Sequence, residues 1–330
     1  MPLILASDVG GTKTVLALYS LKEGKLQLLT KEKYKSNTYK NFNELLTNFF
    51  KTTNIIVSTA VFGVPGPVIN NTCKTSNLPW FIDGNSIAKK FRIERVKLVN
   101  DFYAFGNGAE LLQKKDIIQL NNAKPFEKHV RAFIGAGTGL GEAFAVWRDG
   151  YHVYPSEGGH SDFAPRNDIE TALLQTLMKK YRHVSNERLL SGKGLTNIYH
   201  FLARETLGEE DDASITIVQN AISKKDPVSE HAVEIFVSIY GAEAGNLALK
   251  TKSTGGIFIG GGIARTLLTE HYQKLFLEAF YDKGRLSYLM KKIPVYVVMN
   301  TEVGVLGAAN YARKFFFNDI FPQSHYALDL

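Results

Sequence analysis

Leu3-Ile4-Leu5-Ala6-Ser7-Asp8-Val9-Gly10-Gly11-Thr12-Lys13-Thr14 is an apolar run that stops at an aspartate, two glycines and two hydroxyls. The run reads as a buried strand, and residues 15–19 resume as a second, so the glycines form the turn of a β-hairpin. Glycine lacks a Cβ, which lets backbone N–H groups approach an anion and adopt positive φ. The same order returns at Gly135-Ala136-Gly137-Thr138-Gly139-Leu140-Gly141, between apolar runs at 130–134 and 143–147. Gly10 and Gly137 are 127 residues apart, about one domain, so the chain reads as an internal duplication. No helical pattern follows this second turn, which disfavours a dinucleotide site of the Gly-x-Gly-x-x-Gly type.

Working outward, residues 25–35 read as a third strand and 41–50 as a helix with Phe42, Leu45, Leu46 and Phe49 on one face. Residues 55–64 and 96–99 read as further strands, the latter ending in Asn100-Asp101 before a helix at 104–112. Helical spacing covers 168–181, 195–204, 228–249, 264–280 and 303–315; strands are expected at 257–259 and 293–299. Strands interleaved with helices give an α/β fold of mixed sheets. Residues 208–212 read as a solvated acidic loop.

The chain has 330 residues, 45% hydrophobic and 22% charged, enough for two domains with their own cores. Its net charge of +7 is spread along the chain without a basic run, so nucleic acid is not expected as a partner. Cys73 is the one cysteine, which excludes an internal disulfide and a multi-cysteine zinc site. The first residues lack a signal peptide's basic flank and no apolar stretch approaches about 18 residues, so no membrane span is expected and the cytosol is the expected compartment.

The polar groups that interrupt these patterns are the site candidates. Asp101 is a candidate general base, although Asn100-Asp101 also suits a helix cap. Asn77, beside Pro79 and Trp80, is a candidate sugar ligand. Glu157-Gly158-Gly159-His160 reads as a loop, since paired glycines disfavour a helix, and a carboxylate with an imidazole suits vicinal hydroxyls better than a metal. Glu187 follows Ser185 at an expected helix start, where it either serves the site or complements the helix dipole. Gly260-Gly261-Gly262 leaves bare backbone for a flat ring, or for close packing of helix on strand.

In this order, Asp8 to Thr12, Leu98 to Phe102, Gly135 to Gly141, Glu157 to His160, His183 to Glu187 with Leu189-Leu190-Ser191-Gly192, and Ile259 to Ile263 resemble the bacterial-type ATP-dependent glucokinases of the hexokinase, actin and Hsp70 superfamily. The resemblance spans nearly the whole chain. It implies two ribonuclease-H-like domains around a central cleft, residues 1–112 with 301–330 and residues 113–300, with the last helix returning to the first. It implies ATP-dependent phosphorylation of glucose at the 6-hydroxyl, the first step of glycolysis, or of another hexose or amino sugar on the same fold. Asp101 would be the base; Asn77, Asn100, Glu157, His160 and Glu187 would hold the sugar. Asp8, Gly10, Gly11, Thr12, Gly137 and Thr138 would meet phosphates and Mg²⁺, the ion reached through water on Asp8, and Gly260, Gly261 and Gly262 would line the adenosine. A homodimer is implied as well. The related repressor/kinase family carries a cysteine-rich zinc motif that a single cysteine cannot build, and Lys13 stands where some relatives have asparagine. An ATPase of the actin or Hsp70 kind would not need the Glu157, His160 and Glu187 cluster. A sugar-responsive regulator would need a DNA-binding module ahead of Leu3.

Overall fold

A computed structural model describes residues 2–53, 55–76, 78–205 and 213–317. Asn77 and the expected acidic loop at 208–212 lie outside the described residues. The chain divides into two compact units: Met1–Leu112, Trp147–Pro155 and Asn300–Leu330 form one, Gln113–Val146 and Ser156–Met299 the other.

The first unit holds β1 (Leu3–Val9), β2 (Lys13–Lys22), β3 (Lys25–Lys35), β4 (Thr59–Val64), the short pair β5 (Thr72–Lys74) and β6 (Phe81–Asp83), and β7 (Arg95–Asn100). Its main sheet runs β3-β2-β1-β4-β7, with β1, β4 and β7 parallel and β2 antiparallel to β1. Side chains alternate across this sheet with period two. Leu5, Leu16 and Phe62 join Phe42, Leu45 and Phe49 of α1 (Phe42–Thr53) in one core. Ile4, Ala6 and Val61 join Val305, Ala308 and Ala309 of α11 (Val303–Phe316) in another. Both faces are therefore covered at the centre of the sheet, which is why β1 and β4 read as nearly unbroken apolar runs, while the edge strand β3 is largely exposed. Between them run α2 (Gly84–Phe91), capped by Asp83, and α3 (Asp101–Ala109). The strand expected from residue 55 begins only at Thr59, because Ile56 is 90% exposed and has nothing to pack on. Trp80 is buried in the core, its indole N–H donating to the Tyr39 carbonyl at 3.3 Å, and Cys73 is a buried free thiol.

In the second unit β8 (Ile117–Gln119), β9 (Arg131–Ala136), β10 (Leu140–Trp147), β12 (Ile257–Gly260) and β13 (Val295–Val298) are ordered β10-β9-β12-β13-β8; β11 (Tyr151–Ser156) falls almost wholly in the Trp147–Pro155 segment of the first unit. Again three strands, β9, β12 and β13, are parallel, and the strand after the glycine-rich turn is antiparallel to the one before it. Gly10 and Gly137 thus occupy the same topological position, as the duplicated sequence pattern requires. Around this sheet lie α4 (Asp168–Met178), α5 (Gly192–Ala203), α6 (Ser214–Ile222), α7 (Pro227–Thr251), α8 (Gly262–Leu267), α9 (Gln273–Tyr281) and α10 (Ser287–Met290).

The single helix expected at 264–280 is two helices: the Thr269 hydroxyl donates to the Arg265 carbonyl at 2.8 Å, competing with the backbone ladder, and the chain turns before Gln273. The expectation of no long apolar stretch also fails, since α7 is long and apolar enough to cross a membrane by length and composition. It is instead a core helix, with 78% of its most apolar window buried, as a helix apolar on all sides should be. Gly241 and Gly245 let α9 approach it: a Cβ on Gly241 would stand 2.2 Å from the Phe276 carbonyl oxygen.

Candidate active site

In the first unit, Asp8 near the end of β1 is in register with Gly63 of β4, and Gly63 with Val99 of β7, directly before Asn100 and Asp101. Asp8 and Asp101 therefore lie at the carboxyl ends of parallel strands two places apart, about 10 Å by strand spacing. In open α/β sheets that edge is where ligands bind. A Cβ on Gly63 would be 4.0 Å from the Asp101 Cα and 3.3 Å from the Ala104 Cβ, so the missing side chain lets α3 start close to the sheet.

The turn beside Asp8 is tied inward. Gly10 N–H donates to the Lys13 carbonyl at 3.0 Å, the Ser36 hydroxyl to the Gly10 carbonyl at 2.7 Å, and Ser36 N–H to the Thr12 carbonyl at 3.0 Å. Thr12 and Lys13 are exposed. Asp8 lies against α11: its Oδ2 is 2.8 Å from where a Cβ on Gly304 would stand. Burial raises its pKa above the ordinary carboxylate value, opposed by the charge of Lys13. A desolvated carboxylate of this kind is relieved by a cation.

Asn100 caps α3, its side-chain oxygen accepting from Phe102 N–H at 2.9 Å and Tyr103 N–H at 3.1 Å while its amide nitrogen reaches the Gly66 carbonyl at 3.4 Å. The cap reading thus belongs to Asn100, whose oxygen is occupied, and leaves only N–H donors for a sugar hydroxyl. Asp101 occupies the first turn, one oxygen accepting from Phe102 N–H at 2.9 Å.

In the second unit, Gly137 and Thr138 are exposed at the tip of their turn, and a Cβ on Gly137 would meet nothing within 4 Å. The base of the turn is clamped: Ala136 N–H donates to the Tyr240 hydroxyl at 3.0 Å and Gly192 N–H to the Gly137 carbonyl at 2.8 Å. Burial raises the Tyr240 pKa, keeping the phenol neutral. Tyr240→Phe should leave a buried N–H unpaired at a cost of about 1–3 kcal/mol. Denaturant unfolding checks this, and unchanged stability would show that the N–H finds another acceptor. Gly261, at φ +95°, faces Ala136, whose carbonyl oxygen would be 2.3 Å from a Cβ, so this glycine serves close packing. Gly262 is exposed, with the Arg265 guanidinium nearest at 4.0 Å, and Gly260 is buried as the last residue of β12.

Two loops bring the sugar candidates together. Phe163 N–H donates to the Val184 carbonyl and Asn186 N–H to the Ser161 carbonyl, each at 3.0 Å, and the Asn186 amide reaches the Ser161 hydroxyl at 3.1 Å. His160, at the end of a single 3₁₀ turn (Gly158–His160) where a plain loop was expected, stands with its Nδ1 4.0 Å from Glu187 Oε1. The other Glu187 oxygen accepts from Leu140 N–H at 2.9 Å and presses on Gly139. Glu157 and His160 are exposed and Glu187 is half-buried. Glu187 therefore contacts the glycine-rich turn and the histidine at once, beyond the dipole role open to it in sequence.

Sequence reasoning did not find Tyr240 or Ser36, since a tyrosine in an apolar helix reads as core and a serine after a strand as a turn. Glu142, a carboxylate within the apolar strand β10, did leave a sign. Among the described residues no group of three His, Cys, Asp or Glu side chains is placed to hold a metal.

A glucokinase family model matches residues 5–315. A glucokinase of Nostoc punctiforme is 39% identical over 340 residues, covering 95% of this chain and 100% of its own length. The crystal structure of a glucokinase from an Antarctic psychrotroph superposes with a TM-score of 0.80 at 28% identity, covering 95% of this chain and 99% of its own. At 19% identity and a TM-score of 0.62, a ROK family glucokinase from Streptomyces griseus, solved with glucose and AMPPNP, covers 94% of this chain and 99% of its own and shares the fold. With a family match along almost the entire sequence and relatives alike over their full length, the chain belongs to the glucokinase family and is a sugar kinase that phosphorylates glucose.

Proposed function

We propose that the enzyme transfers the γ-phosphoryl group of ATP to the 6-hydroxyl of D-glucose, giving glucose 6-phosphate and ADP, the first step of glycolysis, with Asp101 as general base. The observation that carries this reading is Glu187, whose carboxylate touches both the Gly139-Leu140 backbone and the neighbourhood of His160. One side chain thereby joins a phosphate-type turn to a group of hydroxyl-binding residues.

In the proposed reaction Asp101 accepts the 6-hydroxyl proton as that oxygen bonds to the γ-phosphorus and the bond to the β-phosphate oxygen breaks. Glu157, His160 and Glu187 hold the other hydroxyls, with an Asn100 N–H as a further donor and Asn77 assigned by resemblance. Gly10, Gly11, Thr12, Gly137 and Thr138 supply backbone and hydroxyl donors to phosphates, and Gly260 to Gly262 line the adenosine, Gly262 being the exposed one of the three. Phosphoryl transfer asks mainly for alignment and charge neutralisation. Mg²⁺ suits a site with one desolvated carboxylate, because it keeps waters and takes substrate phosphates as ligands; when bound it would offset their charge, with Asp8 its holder directly or through water. The AMPPNP bound by the Streptomyces protein supports a nucleotide donor here.

We also infer two ribonuclease-H-like domains, close to residues 1–112 with 301–330 and residues 113–300 but with Trp147–Pro155 grouped with the first, of the hexokinase, actin and Hsp70 superfamily, in a cytosolic homodimer. The repeated order of three parallel strands and one antiparallel strand supports the first part.

A coupled assay of several hexoses against ATP, with and without Mg²⁺, tests the assignment; turnover only with a different sugar would overturn it. His160→Ala and Glu187→Gln should each raise the glucose KM about tenfold or more, the worth of a charged hydrogen bond, and the ATP KM little. Equal changes in both would make these residues structural.

A further inference from the structure

Glu142 plays no part in the chemistry above, yet the loop bearing Glu157 and His160 rests on it. Its side chain, only 3% exposed, lies beneath Gly158: Glu142 Oε2 is 2.0 Å from where a Cβ on Gly158 would stand, and Leu140 O is 2.1 Å from the same point on Gly159. The two glycines are what allow the loop to settle onto β10. Glu142 Oε1 is buried without a hydrogen-bond partner among the described residues, and so is Oε1 of Glu243 on α7. Asn246 donates to the other Glu243 oxygen at 2.9 Å.

The charged and titratable groups around this pair are few. From α7 come Tyr240, Glu243 and Lys250, whose Nζ is 3.9 Å from Glu243 Oε1; Lys283 faces Glu243, and the loop above carries the exposed Glu157 and His160. Burial, then the charge of Glu243, pushes the Glu142 pKa up to about 7. Below that value the side chain is a neutral acid; above it, a buried carboxylate stands beside Glu243, whose own pKa burial also raises.

We propose that Glu142 is a positioning residue: its neutral carboxyl group is the floor on which the sugar-binding loop sits, and its ionisation unseats the loop and weakens glucose binding. This rests on the reading that Glu157 and His160 hold the sugar. A seated loop favours the neutral form, so glucose and a proton should bind together, and the glucose KM should rise as pH passes through about 7.

The test is to measure KM for glucose and for ATP between about pH 5.5 and 8.5 in the wild type, Glu142→Gln and His160→Ala. In the wild type the glucose KM is expected to climb by up to about tenfold, as it does when the carboxyl group holds its proton about tenfold more tightly with sugar bound than without, with the ATP KM level. Glu142→Gln is neutral at every pH and should hold the glucose KM near its low-pH value. Glu142→Met, apolar and of similar length, should do the same and serves if the carboxamide variant does not fold. A wild-type profile without the climb, or a climb that survives in Glu142→Gln, overturns the proposal. If His160→Ala leaves the glucose KM unchanged, the sugar-loop reading itself fails. If His160→Ala raises it while Glu142→Gln keeps the wild-type climb, only the role of Glu142 fails.

Discussion

Asp101→Asn is expected to lower kcat by about 10²- to 10⁴-fold, the usual contribution of a positioned general base, while nucleotide binding persists. An amide of the same shape cannot accept the proton from the 6-hydroxyl. It can still sit in the first turn of α3, because the cap of that helix is made by Asn100 and not by Asp101. Fold and site geometry should therefore survive, leaving a loss confined to the chemical step. Steady-state turnover in a coupled assay measures the loss, and nucleotide titration of the same sample shows that the protein is intact. A variant within about threefold of wild-type turnover would remove Asp101 from the mechanism.

Gly307→Ala is expected to destabilise the protein by about 2–4 kcal/mol, although alanine ordinarily stabilises a helix by up to about 1 kcal/mol over glycine. A Cβ at Gly307 would lie 1.7 Å from the Ala104 carbonyl oxygen and 2.6 Å from Gly108 N, and one at Gly108 would lie 2.0 Å from the Val303 carbonyl oxygen. Helices α3 and α11 thus cross with their backbones in contact. The Asn310 amide ties them further, reaching the Asn107 carbonyl at 2.8 Å and Glu110 Oε2 at 3.1 Å. The clash is with backbone, which has no rotamer to relieve it, so the helices must part. Because α3 begins at Asp101 and α11 begins where Gly304 meets Asp8, activity should fall with stability. Unfolding in denaturant measures the first effect and kcat the second; unchanged stability would show that the crossing is loose.

Much of this was legible from residue order alone. Leu3–Val9 and Lys25–Lys35 are strands over the spans expected, and Phe42, Leu45, Leu46 and Phe49 are buried as their spacing requires. Burial of the apolar residues of Leu3–Val9 and of the helix face is a local pattern that the order of residues reports directly. Strands β5, β6 and β8, and helices α2 and α6, passed unnoticed because short elements carry too few residues to show a period. The Gly260 to Gly262 triplet was ambiguous for a different reason: what a missing Cβ makes room for depends on a residue far away in sequence, here the Ala136 carbonyl beside Gly261.

The sequence by itself determined the alternation of strand, glycine-rich turn and strand, its recurrence, and which polar residues interrupt apolar runs, because local propensity and burial period are properties of neighbouring residues. Only the tertiary structure decided what those interruptions touch. It separated Asn100 as cap from Asp101 beside it, brought Glu187 onto the turn at Leu140, placed the Tyr240 phenol on Ala136 N–H, and laid Glu142 under Gly158. Each of these depends on contacts between side chains and backbone distant along the chain, which form only when the sheets and helices have packed.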